Sequence, residues 1–149
     1  MELKRFEYSD CLREGLLKKF PVSNEKAQSS ILSSDKWLDE AKKCLSNGTF
    51  SASVLSSYLS MFHSSRSVLF LDGFREKSHF CIARYLEEKY VKTGLLENKW
   101  IELLDHYREL RHNSQYDVNF FATDNDARNA ARVAKEFNER IKRLVSKRL

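Results

Sequence analysis

Residues 49–71 read TFSASVLSSYLSMFHSSRSVLFL, and Asp72-Gly73 follows them. Apolar residues recur here at steps of about three and four, the spacing of a helix with one face toward a core: Phe50, Val54, Tyr58, Met61, Phe62, Ser65 and Leu69, with Ser65 as the one small polar member. Serine also occupies positions 51, 53, 56, 57, 60, 64 and 67. Such small side chains favour close packing of a second helix, and a hydroxyl-lined ligand groove is the alternative.

Helical patterns lie on both sides of this stretch. They cover about 3–20, 24–46, 78–91 and 98–114, and a sixth begins after Asp124 as its N-cap. The chain has 149 residues but only four Gly and one Pro, too few for the many tight turns of a sandwich or barrel. We therefore predict an all-α, up-and-down bundle of five to six helices in a single domain over 1–149, with its core at about 24–149 and an N-terminal helix at about 3–20.

Charge and cysteine usage point to a cytoplasmic protein. The net charge of +5 suits an anionic partner such as RNA or a nucleotide, although a solvated surface explains it equally. Cys11, Cys44 and Cys81 have no paired spacing, which argues against a disulfide framework or zinc site and fits buried thiols in a reducing compartment. The N-terminus lacks the apolar core of a signal peptide, and no run approaches membrane-spanning length.

Arg111 conflicts with the pattern of its own helix. The apolar stripe of that helix consists of Trp100, Leu103, Leu104, Tyr107 and Leu110. At about 100° per residue, Arg111 falls near the middle of the stripe. A guanidinium stays charged and is costly to bury unpaired, so Arg111 must meet a carboxylate, open into a cleft or bind an anion.

Other polar side chains accompany Arg111. Arg108, His112 and Tyr116 lie at i, i+4 and i+8 on one strip of the helix. An Arg and a His can support metal-free RNA cleavage: the His moves a proton as the 2′-hydroxyl attacks phosphorus, and the Arg offsets the charge on the phosphoryl oxygens. The alternative is a polar cluster that only holds the bundle together.

Other site chemistries find no support in the sequence. The four His have no metal-ligand spacing, and there is no Gly-rich phosphate loop, so we expect neither a metal nor a cofactor. His79 borders the apolar face of its own helix, as expected for a packed, hydrogen-bonded His.

Between about residues 35 and 145 the sequence resembles the HEPN superfamily, helical domains associated with prokaryotic nucleotidyltransferases. The resemblance rests on these motifs in order: Ala41-Lys-Lys-Cys-Leu45, Asn47-Gly48-Thr-Phe50, Ser57-Tyr58-Leu-Ser-Met61-Phe62-His-Ser-Ser-Arg66-Ser-Val-Leu69, Gly73, Lys77-Ser78-His79, Tyr90-Val91-Lys92-Thr-Gly94 and Arg111-His112-Asn-Ser-Gln-Tyr116-Asp117. It implies a bundle that dimerises, with a cleft between protomers. Many members are metal-independent RNases, often toxins restrained by a nucleotidyltransferase, and others bind nucleotide or RNA without cleaving it.

The family's nuclease signature is an Arg, a polar residue, three further residues and a His. Arg111 matches the Arg and His112 the polar position, but Tyr116 stands where the His is expected, as in one branch of the superfamily. A phenol with an ordinary pKa near 10 suits proton transfer at neutral pH poorly. In a regular helix Arg111 and Tyr116 would point about 140° apart, so we expect the helix to end or distort between them.

The resemblance supports two functions. The first is a homodimeric module of a toxin–antitoxin-like or nucleotidyltransferase-associated system that binds nucleotide or RNA with weak or no nuclease activity. The second is an active metal-independent RNase, and a dimeric scaffold is a third reading. The candidate catalytic residues are Arg111, His112 and Tyr116, and the candidate binding residues are Arg108, Asn113, Asp117, His79 and Tyr58.

Overall fold

Helix α3 lies at the centre of the structure, a computed structural model that describes residues 5–149. It spans Phe50–Asp72, and three long helices pack against it: α2 (Asn24–Ser46), α5 (Asn98–Tyr116) and α6 (Asp124–Val145). A continuous hydrophobic core runs from Cys11 to Val145. The predicted all-α bundle is confirmed. Within residues 5–149, no helix combines the length and apolar character needed to cross a bilayer.

The shorter elements cover one end of the bundle. They are α1 (Tyr8–Arg13), the antiparallel strands β1 (Leu17–Lys19) and β2 (Phe74–Glu76), α4 (His79–Leu86) with its π-helical extension Glu87–Val91, and a 3₁₀ turn at Ser146–Arg148. Strand β2 directly follows α3, so pairing with β2 brings β1 to the C-terminal end of the central helix.

Among the described residues, the predicted N-terminal helix at about 3–20 is confirmed over Tyr8–Arg13 and wrong beyond Arg13. Helix α1 ends at Arg13, and Gly15 takes a φ of +69°, a left-handed conformation that glycine adopts readily and that terminates helices. The chain then becomes β1. The partner of β1 lies beyond α2 and α3, so local periodicity could not reveal the strand. Residues 3 and 4 of the predicted helix lie outside the described part of the chain.

Gly73 allows the segment after β1 to approach the end of α3. Its φ is +80°, and a Cβ there would lie 3.0 Å from the carbonyl oxygen of Phe20 and 3.1 Å from Cγ2 of Val22. The backbone N–H of Phe20 donates to the Gly73 carbonyl at 2.9 Å. A larger residue at position 73 would therefore push the N-terminal segment off the bundle.

The serines of α3 serve helix packing. Seven are buried, which makes the hydroxyl-lined groove wrong for these positions: Ser53, Ser56, Ser57, Ser60, Ser64, Ser65 and Ser67. Ser60 Oγ donates to the Ser34 carbonyl on α2 at 2.7 Å. Asn138 of α6 donates to Ser60 Oγ at 2.6 Å and accepts from Ser64 Oγ at 2.8 Å. These bonds satisfy polar groups that would each cost about 1–3 kcal/mol if buried unpaired.

Cys11 and Cys81 correct the expectation drawn from cysteine spacing. The structure joins them in a disulfide with a Cα–Cα distance of 5.9 Å, which ties α1 to α4, while Cys44 is free. The bond spans 70 residues of sequence, so no local motif announced it. Cysteine usage therefore gives no support for a reducing compartment.

Two helix ends also differ from the predictions. Thr123, not Asp124, is the N-cap of α6: its side chain accepts from the Asp126 backbone N–H at 3.1 Å, and Asp126 accepts in return from the Thr123 N–H at 2.9 Å. This reciprocal capping box satisfies two free amides. Helix α5 continues to Tyr116 without the expected break after Arg111.

Candidate functional site

The Arg111 side chain lies between α5 and α3 in a half-buried position. Its guanidinium carbon is 5.1 Å from the centre of the Tyr58 ring, and one nitrogen donates to Gln115 Oε1 at 2.9 Å. Its Nε is buried and lacks a hydrogen-bond acceptor. Within residues 5–149, Arg111 forms no ion pair with a carboxylate. Of the three outcomes that the sequence allowed, pairing with a carboxylate is excluded for the described chain.

Arg108, one turn earlier, is held by a carboxylate. Asp105 accepts from Arg108 and from Arg84 of α4, each at 2.5 Å. The Phe80 ring lies against both guanidinium groups, with centroid distances of 4.9 Å to Arg108 and 4.6 Å to Arg84. Glu87 lies 3.9 Å from Arg84 and Glu109 lies 3.8 Å from Arg108, so carboxylates balance this cluster, which fixes Arg108 beside Arg111.

Tyr58 and His79 form the neutral wall of the site. Tyr58 Oη lies 2.9 Å from His79 Nδ1, and the imidazole stacks on the Phe62 ring at 4.1 Å between centroids. The predicted packed, hydrogen-bonded His79 is confirmed. Its partner is a residue that the sequence also marked as a candidate, so both lie next to Arg111.

Burial keeps both members of this pair uncharged. Burial lowers the pKa of His79 to about 4, and the charges of Arg111, Arg66 and Arg108 act in the same direction. Burial raises the pKa of Tyr58 well above that of a free phenol, against the opposing effect of Arg111. At neutral pH both rings are therefore uncharged, and the Tyr58 hydroxyl and His79 Nδ1 share one hydrogen bond.

A shallow pocket of about 250 Å³ opens over this part of α5, lined by Arg108, Glu109, Arg111, His112 and Asn113. Four predicted site residues thus share one pocket. It offers two guanidinium groups, an imidazole and an amide, a set suited to the oxygens of a phosphate group. Glu109 is the one anion in the lining.

Tyr116 and Asp117 lie outside this lining. Since α5 stays helical, the Tyr116 side chain projects away from Arg111 and is 67% exposed. Its ring contacts His112, with centroids 4.8 Å apart, which confirms that residues 112 and 116 share a strip. Asp117 is exposed and accepts from the Asn119 N–H at 3.0 Å. In this single chain, Tyr116 and Arg111 do not converge on one phosphate.

Sequence reasoning missed Asp105, Arg84 and Arg66. The i, i+3 spacing of Asp105 and Arg108 was readable and predicts their ion pair. Arg84 is 2% exposed and pairs with Asp105 across helices, so its role depends on packing that only the fold shows. Arg66 lies over the Phe62 ring at 5.4 Å and forms an ion pair with Glu76 at 2.8 Å.

Metal ligands do not gather near this pocket. Over residues 5–149, the structure contains no group of three or more His, Cys, Asp or Glu side chains placed to hold a metal ion. The arrangement at Arg111 is instead suited to binding an anion.

Comparison with known proteins gives a consistent result. The sequence model of the HEPN domain matches residues 27–144. A UPF0332 protein of Pyrococcus horikoshii is 29% identical over 84 residues, which is 56% of this chain and 59% of that protein. The matched segment therefore spans less than two thirds of this relative's length.

The environment of His79 leads to a testable prediction. Arg111→Gln removes a charge but keeps most of the bulk over Tyr58, so we expect the pKa of His79 to rise from about 4 toward its ordinary value. An NMR titration of the imidazole measures it. Because the folded-state pKa lies below the unfolded one, His79 makes the folded protein less stable as pH falls from about 6.5 toward 4. Arg128→Gln, on an exposed face of α6, is the control, and an equal pKa in both variants would contradict the prediction.

Proposed function

The chain is a member of the HEPN domain family, and from this premise we propose that it binds RNA or a nucleotide through a phosphate group held at Arg111. The observation that carries the proposal is a half-buried guanidinium with no carboxylate partner in the described chain and a buried Nε without an acceptor. An anionic ligand in the pocket would supply the missing counter-charge. Arg108, His112 and Asn113 share the pocket and give the ligand further donors.

We further propose that the pocket lies in the cleft of a homodimer. Exposed apolar side chains follow Arg111 closely in the chain: Tyr116 is 67% exposed, Val118 85% and Phe121 80%. Large apolar side chains exposed close together are typical of interfaces. Family membership supports a nucleotidyltransferase-family protein as a second partner, in a cytoplasmic toxin–antitoxin-like pair.

The dimer is tested by placing charge on these side chains. We expect Val118→Asp with Phe121→Asp to convert a dimer into a monomer, since burying two carboxylates costs several kcal/mol. Light scattering at micromolar concentration measures the mass. Leu32→Asp changes a side chain that is 61% exposed on α2 and should leave the dimer intact. A monomeric wild type would contradict this part of the proposal.

Ligand binding is tested at Arg111 itself. We expect Arg111→Ala to weaken binding of labelled oligouridine by about tenfold or more, the equivalent of one charged hydrogen-bonding group. Fluorescence anisotropy measures the affinity, and circular dichroism confirms the fold. Arg128→Ala removes a cation from an exposed face of α6 and should bind as the wild type does. If Arg111→Ala instead lowers the melting temperature strongly while RNA binding is unchanged, Arg111 is structural.

An active RNase is the second candidate, because His112 lines the same pocket as Arg111. In such a reaction His112 would accept the 2′-hydroxyl proton as the oxygen attacks phosphorus, and Arg111 would stabilise the growing negative charge. The bond between phosphorus and the 5′-oxygen would then break, which leaves a 2′,3′-cyclic phosphate and a 5′-hydroxyl that takes its proton from water. Tyr116 occupies the family's His position, does not line the pocket and carries a group ill suited to this proton transfer. We therefore propose that cleavage by the wild type is weak or absent.

Cleavage of total RNA in EDTA separates the two candidates. We expect no robust cleavage by the wild type and a gain on Tyr116→His, since imidazole titrates near neutrality and a dimer cleft would bring position 116 to the substrate. Robust wild-type cleavage that is lost on His112→Ala would establish the RNase. Cleavage that survives His112→Ala and is lost on Tyr116→Phe would make the phenol catalytic.

A further inference from the structure

The β1–β2 ribbon concentrates positive charge. Lys18 lies directly opposite Arg75, and Lys77 follows two residues later on the same face. Like charges placed opposite each other destabilise a strand pair, and Lys18 accordingly lowers the pKa of the Lys77 ammonium group. This repulsion lowers the stability of the strand pair, and the fold itself does not require it.

Carboxylates do not neutralise the ribbon. Five cations at this end of the molecule are exposed and, within residues 5–149, form no ion pair: Lys18, Lys19, Lys26, Arg75 and Lys77. We call these five residues the ribbon surface. The nearby Glu76 carboxylate is already paired with Arg66. The ribbon surface is therefore available to an external anion.

The ribbon surface extends from the strands onto α2. Lys26 and Arg75 both lie over the Phe20 ring, at 5.8 and 5.5 Å from its centroid. The same two cations line a pocket of about 240 Å³ together with Arg66 and His63 of α3. These contacts hold the cationic stems in place, which reduces the entropy lost when an anion binds.

The face of α3 that carries Arg66 also leads to Arg111. Tyr58, Phe62 and Arg66 are spaced by four residues on one face, about 12 Å from first to last by helix rise. His79 stacks on Phe62 between these cations, and the charges of both Arg66 and Arg111 lower its pKa. The α5 pocket and the ribbon therefore lie along one side of the molecule, joined by this face of α3.

We propose that the ribbon surface binds the phosphate backbone of an RNA strand that also places a phosphate at Arg111. This inference rests on the proposed function and names its substrate class: an RNA long enough to contact both places, rather than a mononucleotide. Exposed Lys and Arg along a line suit repeated phosphates and read no base sequence. Insertion into a membrane would need several exposed apolar side chains beside the cations. Near Gly73, where the ribbon meets α3, the large apolar side chain that is exposed in the described chain is that of Val22.

The experiment compares long and short oligouridine on the full chain. We measure anisotropy with labelled strands of about 16 and about four nucleotides. Lys18→Gln with Lys77→Gln should weaken binding of the long strand by about fivefold or more and reduce its salt slope by about 1.4, or 0.7 per lost phosphate contact. Binding of the short strand should not change. Lys42→Gln with Lys43→Gln, exposed at the far end of α2, is the charge-matched control and should bind both strands as the wild type does.

Each outcome decides the inference. It is overturned if both double variants lose equal affinity, if neither does, or if the wild type binds phosphatidylserine vesicles but no RNA. Lys19→Gln with Lys26→Gln repeats the test should the first variant misfold. If Arg111→Ala weakens both strands while the ribbon variants bind normally, only the ribbon inference fails. If the ribbon variants lose affinity while Arg111→Ala does not, the ribbon inference stands and the Arg111 site fails.

Discussion

The need to satisfy serine hydroxyl groups inside the bundle sets the orientation of α3, and the candidate site depends on that orientation. Ser60 and Ser64 bond to α2 and α6. At about 100° per residue, Tyr58 and Phe62 then point to nearly the opposite side, toward α4 and α5. One helix thus presents a hydrogen-bonded packing face and an aromatic face on which His79 and Arg111 lie. Replacing the serines with larger apolar residues would separate α2 from α3 and rotate the aromatic face.

The candidate site places charged guanidinium groups beside a neutral Tyr58–His79 pair, and this combination determines its chemistry. Asp105 restrains Arg108 and Arg84, with Glu109 and Glu87 as their further carboxylate partners, whereas Arg111 has no ion pair in the described chain. Tyr58 and His79 stay neutral beside them because burial disfavours their charged forms. His79 stays neutral at pH 7 and already uses Nδ1 in its hydrogen bond with Tyr58, so it is better suited to positioning its neighbours than to exchanging protons. These features favour anion binding over acid–base catalysis in the single chain.

Much of the fold follows from local sequence. The predicted bounds of α2 agree with the structure, those of α3 lie within one residue of it, and the place of Arg111 at the inner edge of α5 was readable from the stripe around Tyr107. The features that could not be read depend on contacts between distant segments. Strand β1 exists because β2 returns beside it, and Arg84 acquires its partner only when α4 packs on α5. The expected break of α5 after Arg111 was wrong: it followed from the family pattern, whereas the helix continues to Tyr116, whose side chain is exposed.

The Cys11–Cys81 disulfide shortens the covalent path between strands β1 and β2. Through the backbone, about 60 residues separate Leu17 from Glu76, whereas the route through the disulfide includes about a dozen. Loop-closure entropy grows with the logarithm of loop length, so the shorter route lowers the cost of bringing the strands together by about 1.4 kcal/mol. In the oxidised chain the ribbon therefore resembles a local hairpin in its covalent connection, although α2 and α3 separate its two strands along the sequence. Its cationic side chains keep their register even if the α2–α3 connection loosens.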